Sequence, residues 1–413
     1  MKTTLTTCIL TAALCVLGAA AASAQNWENV DKFRLQDDGS AGAAEVGTGA
    51  DGTLFSVGWA EYDSNGNYKA VIRRSPDSGA SWTTVDAYLE PDWSSASYRA
   101  FGAGANGSLF AAGELWEGLP NTGTKTWLVR ESVDNGANWT TVDAFYQGPT
   151  AKPSCGDIKV NPYTGDVFAV GRGNTSSSTG FYWAVRKRAA GAQNFVTVDM
   201  AGGPPINDAR GVGFHPTAGI FVVGKMGDGQ RHLWTVRRSA NQGATWTTVD
   251  TFQDSTKTYS EASGIAVSAS GAIYVSGRAA QTVKGKTVNN WVVRRSLNGG
   301  VTWTTVDRFG AEPAPYGLGV STATAITVAP SGNVYVTGTT PDPSHLIVRK
   351  GTTAPNGTMS WVTIDDYQLV NGQPSDAHGI TSDSAGNIFT AGKGQIDATG
   401  LRLFLTRKLT GPQ

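Results

Sequence analysis

Four side chains of this 413-residue chain stand out as possible proton carriers: Asp208, Glu261, Asp376 and His378. Two carboxyl groups in one cleft are the equipment of glycosidic-bond hydrolysis, one serving as acid and the other as base. Arg99, Arg172, Arg210, Lys225, Arg278 and Lys393 could hold an anion or neutralise it. An arginine opposite a uronic-acid carboxylate, with His378 or a nearby Tyr as base, would instead suit a lyase. Trp59, Trp93 and Trp116 offer flat apolar faces of the kind that stack on sugar rings or on peptides. No His pair has metal-ligand spacing, so no metal is expected. No G-x-S-x-G elbow, P-loop or dinucleotide-binding glycine pattern occurs in its required context, so no cofactor is expected.

These residues occupy equivalent places in a repeat. Its marker is an aromatic residue four positions before an Asp: Trp27 and Asp31, Trp82 and Asp86, Trp139 and Asp143, Phe195 and Asp199, Trp246 and Asp250, Trp303 and Asp307, Trp361 and Asp365. Successive aromatics are 55, 57, 56, 51, 57 and 58 residues apart. A fixed period of this size means stacked or radially arranged units, each too small to bury its own core. Within a unit, short runs rich in β-branched and aromatic residues alternate with Gly, Asn and Ser clusters. This predicts four antiparallel strands, A to D from the inside outward.

The seventh unit has strands A, B and C but ends near Leu409 without D. The surplus D strand is Trp27 to Phe33, at the other end of the chain. The predicted fold is therefore all-β: a seven-bladed β-propeller of four-stranded blades, in which the N-terminal strand completes the last blade and removes the open edges. The D-to-A and B-to-C connections share one face. Three columns of residues should line its mouth. At the start of strand A lie Ala44, Arg99, Gly156, Arg210, Ser263, Thr324 and His378. Two positions earlier lie Gly42, Ser97, Ser154, Asp208, Glu261, Thr322 and Asp376. At the end of strand B lie Trp59, Glu114, Arg172, Lys225, Arg278, Thr339 and Lys393. A ring so rich in cations focuses a positive potential, unless Asp208, Glu261 and Asp376 neutralise it by pairing.

The turn between strands C and D carries a further pattern. Ser75-x-Asp77-x-Gly79-x-x-Trp82 and Ser132-x-Asp134-x-Gly136-x-x-Trp139 are complete copies, while Asn241 with Trp246 and Asn298 with Trp303 have Asn in place of Asp. The third and sixth units depart from it. This pattern resembles the Asp-box, or bacterial neuraminidase, repeat of sialidase-like propellers. The resemblance implies a mechanical role: Asp77, Asp134 and their Asn counterparts as buried acceptors in a tight turn, Gly in a positive-φ conformation, and Trp packed between sheets. The early arginine motif of sialidases is absent and no Tyr and Glu nucleophile pair can be matched, so sialidase activity is not implied. Residues repeated in every unit, including the Asp after each Val or Ile and the Arg of each third strand, are read as structural.

Composition sets the setting. Met1-Lys2, an apolar stretch from Cys8 to Ala22, and Ala22-Ser-Ala24 form a secretory signal peptide of residues 1–24, leaving residues 25–413 as one propeller domain. Cys8 and Cys15 leave with it and Cys155 remains alone, so no disulfide is expected. The formal net charge of the whole chain is +0, which argues against nucleic acid as partner, and no other segment is apolar enough to enter a membrane. The reading is a secreted or periplasmic monomer that binds a glycan or acidic polysaccharide on the face opposite the Asp-box turns. The alternatives are a glycan-cleaving lyase or glycosidase, and a non-catalytic scaffold for a surface protein. Mass spectrometry of the exported protein should find Gln25 at its N-terminus; retention of Met1 would contradict the signal-peptide reading.

Overall fold

In the computed structural model, residues 26–117, 123–148, 151–174, 180–203, 206–227, 231–254, 259–283, 286–310, 321–341 and 343–410 are described. The expected signal peptide lies outside them. The chain forms seven sheets of four strands; in six of them, blades one to six, the strands follow in chain order within 41–88, 95–145, 154–201, 208–252, 260–309 and 322–367. The seventh is built from Ser375–Ser382, Ile388–Gln395, Arg402–Leu409 and the first strand, Trp27–Phe33, which pairs antiparallel with Arg402–Leu409 from Trp27↔Leu409 to Phe33↔Phe404. The ring therefore closes as the surplus and missing strands require.

Seven hydrophobic clusters fill the spaces between neighbouring blades, and each takes one of the seven repeat aromatics. The B strands contribute Phe55, Phe110, Phe168, Phe221 and Phe389, all fully buried. Burying such a side chain is worth roughly 1.5–3 kcal/mol. The C strands of blades two to five add Trp127, Trp183, Trp234 and Trp291, also fully buried.

Between the blades runs a second sevenfold feature. The C-strand arginine of each blade grips the D-strand aspartate of the preceding blade: Arg130 on Asp86, Arg186 on Asp143, Arg237 on Asp199, Arg294 on Asp250, Arg349 on Asp307 and Arg407 on Asp365. Arg73 of blade one takes Asp31 of the N-terminal strand, at 2.9 and 2.7 Å, which seals the ring. Each aspartate follows a β-bulge at the preceding Val or Ile, where the register with strand C slips by one residue. A bulge re-aims the side chains around it. Here Val goes into the core and Asp toward the next blade.

The inner A strands carry a bulge of their own, at Ala44, Arg99, Gly156, Arg210, Ser263, Thr324 and His378. Across from it, each B strand has a glycine. A Cβ at Gly113 would lie 1.9 Å from the Ser97 carbonyl oxygen, and the six equivalent glycines repeat the clash at 2.0 or 2.1 Å. The glycine after each B-strand aromatic is thus a steric demand of the bulge.

In the C-to-D turns of blades one, two, four and five, the Ser hydroxyl accepts the Gly N–H and donates to Asp or Asn, which accepts an N–H four residues on. Gly79, Gly136, Gly243 and Gly300 have positive φ, and Trp82, Trp139, Trp246 and Trp303 pack into the inter-blade clusters. One expectation needs correcting. Asp77 and Asp134 are exposed; the buried acceptors are Ser75 and Ser132. The carboxylates lie on the outer side of the turn, where water shares the work of solvating them.

Deleting residues 25–34 removes Asp31 from Arg73 and strips an edge off the last blade. The truncated protein should aggregate or melt far below the full chain in calorimetry; unchanged melting would contradict this closure.

Candidate functional site

A cavity of about 670 Å³ opens on the axis of the ring, on the face away from the Ser-Asp and Ser-Asn turns. All seven bulge residues line it. The bulge is what makes the site: at the same point of every blade it turns one side chain inward, and that side chain differs from blade to blade. Ser97, Ser154, Asp208, Thr322, Trp59, Arg172 and Lys393, drawn from the other two columns, also line it. The bulge column therefore lines the cavity in full, and seven of the fourteen residues of the other two columns join it.

Most of the charge is consumed internally. Arg99 donates to Glu114 at 3.0 and 2.6 Å, and Lys125 reaches the other oxygen at 3.5 Å. Glu261 receives Arg278 at 2.8 Å, Lys225 at 2.9 Å and Arg210 at 3.2 Å. Arg210 also donates to Asp208 at 3.1 Å. Asp376 accepts from Ser344 at 2.7 Å and sits 3.7 Å from Lys393. Burial alone would raise the Glu114 and Glu261 carboxyls, yet Arg99 and Lys125 hold the first at about 2, and Arg210, Lys225 and Arg278 hold the second at about 2. Glu261 is thus a structural counter-ion and no proton donor. Burial and the neighbouring Lys393 push His378 down to about 4, so it is a neutral imidazole and a weak base.

Arg172 is different. Its guanidinium lies over the Phe181 ring at 4.3 Å, and among the described residues no carboxylate pairs with it; its Nε is buried without a partner. The adjacent bulge residue is Gly156, which leaves open room beside it. On the far wall, Trp59 packs on Tyr68 at 4.6 Å, and Tyr68 on Trp116 at 6.5 Å.

Two aromatics are placed otherwise than expected. Trp116 is 6% exposed and lies beneath Lys125, while Trp93 packs against the cluster between blades one and two rather than on the cavity. Of the three tryptophans, Trp59 and Trp116 line the cavity, together with Tyr68 and Tyr98. Lys225, Arg278, Glu261 and Asp376 stand behind the lining.

Sequence reasoning missed Glu45, Asp157 and Lys159, which line the cavity one level deeper. The signal was one position beyond the bulge column: Glu45, Ala100, Asp157, Gly211, Gly264, Ala325, Gly379. Two acids interrupt a ring of small residues. Asp157 accepts N–H bonds from Ile158 at 2.8 Å and Val212 at 3.0 Å, with the Lys159 ammonium 3.5 Å away. Lys159 also donates to the Phe101 carbonyl at 3.0 Å. Burial pushes Glu45 up to about 7, offset in part by Lys159 and reinforced by Asp157.

No protein-family model matches the chain, and no curated protein matches it. Solved structures do. An ancestral GH74 enzyme aligns with a TM-score of 0.57 at 16% identity, over 92% of this chain and 49% of that one. The α-L-arabinanase of Penicillium chrysogenum, complexed with arabinobiose, aligns with a TM-score of 0.53 at 10% identity, over 91% and 98%. The α-L-arabinofuranosidase of Fusarium graminearum, in complex with an iminosugar inhibitor, gives 0.52 at 11%, over 93% and 96%. At such identities the likeness is one of fold.

The depressed Glu261 carboxyl sets an acid limit. A folded-state pKa below the unfolded value stabilises above the unfolded value, near 4.5, and that stability is lost as pH falls toward about 2. The contribution at neutral pH is at most about 3 kcal/mol. Denaturant unfolding should show Glu261→Gln clearly less stable than wild type at pH 6, with the gap narrowing toward pH 2.

Proposed function

We propose that this protein binds an acidic glycan in the axial cavity, outside the cytoplasm. The observation that carries this reading is the unpaired Arg172 guanidinium beside an aromatic wall. The three other arginines of the mouth columns, Arg99, Arg210 and Arg278, each have a carboxylate. Arg172 has only the Phe181 ring, which keeps its planar fork oriented without using its hydrogen-bonding capacity. A carboxylate or sulfate on a sugar would complete it with charge-assisted hydrogen bonds, while Trp59 and Tyr68 take the apolar face of a ring. The glycan-active proteins that share the fold support the choice of ligand class, the arabinanase with arabinobiose bound among them. The Ser-centred turns support the Asp-box reading, and residues 1–24 support export.

The ion pairs decide which variant tests this. Replacing Arg99 or Arg210 leaves Glu114 or Glu261 buried with fewer partners, which damages the fold as well as any site. Arg172→Ala breaks no ion pair. A hydrogen bond to a charged group is worth about 1.5–3 kcal/mol, so Arg172→Ala should weaken binding of polygalacturonate oligosaccharides roughly 10- to 150-fold in calorimetry. Melting should stay unchanged, and wild-type affinity should fall with added salt. Equal affinity of variant and wild type would refute the site; capture of a protein partner with no glycan bound would favour an interaction scaffold.

A further inference from the structure

The floor of the cavity holds an acidic pair that the mouth chemistry leaves unused. In the ring one position below the bulges, blades two, four, five, six and seven present Ala100, Gly211, Gly264, Ala325 and Gly379, whereas blades one and three present Glu45 and Asp157. Ala100, the ring position between the two acids, is buried in an inter-blade cluster, and the Lys159 ammonium, also on the cavity, interacts with both carboxyls. A scaffold that repeats its structural residues seven times has placed two carboxyls only here, on the cavity and under the aromatic wall.

The two acids differ in what holds them. Among the described residues, no side chain hydrogen-bonds the Glu45 carboxyl; it accepts the N–H of Val46 and feels the nearby Lys159 and Asp157 charges. Asp157 meets three donors: Ile158 N–H and the Lys159 ammonium on one oxygen, Val212 N–H on the other. An ionised carboxylate oxygen has two acceptor sites, so the oxygen facing Val212 retains one for water. Opposite environments on neighbouring carboxyls separate an acid from a base.

We propose that Glu45 and Asp157 are the acid and base of a glycosidic-bond hydrolysis on the floor of this cavity. Water bonded to the free site of Asp157 attacks the anomeric carbon, and its proton passes to Asp157. The bond from that carbon to the leaving oxygen breaks, and the Glu45 proton moves to that oxygen. One water is consumed, one reducing end appears, and a proton returns from Asp157 to Glu45 through solvent. Burial keeps Glu45 protonated up to about pH 7, which suits a proton donor. Asp208, Glu261 and Asp376 are tied to Arg210, to three cations and to Ser344 and cannot share this role. The assignment rests on the glycan reading, since a sugar held by Arg172 and Trp59 is what would bring a glycosidic bond to the floor.

The test uses the exported protein with linear arabinan and polygalacturonate as neutral and acidic probes, measuring binding by calorimetry and cleavage by reducing-end release. Wild type should bind and cleave at least one of them, with activity falling as pH rises through about 7. Glu45→Gln should cut turnover at least about 100-fold while binding and melting stay at wild-type values, because no side-chain partner is lost. Asp157→Asn should do the same; its melting temperature checks the Val212 contact. Binding without reducing-end release, or an active Glu45→Gln, overturns the acid and base assignment and leaves the glycan reading standing. Binding of neither polymer overturns both.

Discussion

The ring depends on one contact repeated seven times, an arginine–aspartate pair that joins each blade to the one before it. Its parts are nearly invariant. In six pairs the guanidinium takes both carboxylate oxygens, whereas Arg130 reaches one oxygen of Asp86 and donates also to the Tyr98 hydroxyl and the Trp139 carbonyl; in five blades the guanidinium donates to a Thr or Asn of its own blade's D strand. In six blades an aromatic two residues after the Asp stacks on it, at 3.5 to 4.5 Å. Burying two charges is costly, and a hydrophobic pair of the same volume would serve stability as well. What the pair supplies is position. A fork of fixed geometry across each gap sets blade spacing and rotation, which apolar packing leaves looser. The radius of the ring, and with it the width of the axial cavity, follows from these seven contacts.

The exception is informative. Arg237 pairs with Asp199 at 2.9 Å, but the stacking position is Ala201, so the guanidinium has no aromatic cover there. The interface between blades three and four has other ties: Asp157 accepts the Val212 N–H across it and Lys187 donates to the Gln242 carbonyl. An acid that lines the cavity thus stands at the joint where the repeated contact is thinnest. Blade three is also where the C-to-D turn pattern fails; there the Asp166 carboxylate takes the Ala190 N–H and the Lys187 ammonium instead.

Much of the architecture was legible in the chain because its causes repeat. Seven Asp and seven Arg announced a structural role, and the unmatched D strand at the N-terminus announced how the ring closes. The mouth columns converged because the bulge lies at the same residue of every blade. Other features were hidden for physical reasons. Arg210 and Glu261 are 51 residues apart and meet only because adjacent blades do, so the neutralisation of the basic ring could be named as an alternative but not decided. Trp93 packs onto the cluster between blades one and two, and Trp116 ends a B strand beneath Lys125; sequence alone does not separate an aromatic that covers from one that projects. Glu45 and Asp157 were passed over because the aligned column stopped one residue short, at the bulge itself. The exposure of Asp77 and Asp134 was misjudged because Ser75 and Ser132 take the buried share of the same turn.

The cavity's electrostatics follow from the division between paired and unpaired groups. Arg99, Arg210, Lys225 and Arg278 are fixed by Glu114 and Glu261, so they shape the wall and contribute a field with part of their hydrogen-bonding capacity already spent. Three cations on Glu261, and two on Glu114, leave each cluster with a positive excess. That excess has no direction of its own; it raises the potential of the whole mouth. Direction comes from Arg172, whose fork is aimed and unspent. Deeper in, Lys159 is anchored by Asp157 and the Phe101 carbonyl, and blades five and six contribute Ser263, Thr322, Thr324, Ala325 and the aliphatic Ile265 and Ile326. A ligand entering this cavity meets a positive rim, one oriented guanidinium, an aromatic wall on blade one and an uncharged opposite side. That asymmetry is written onto a symmetric frame by a handful of bulge-adjacent positions, with the unpaired guanidinium on blade three and the Trp59–Tyr68 pair on blade one.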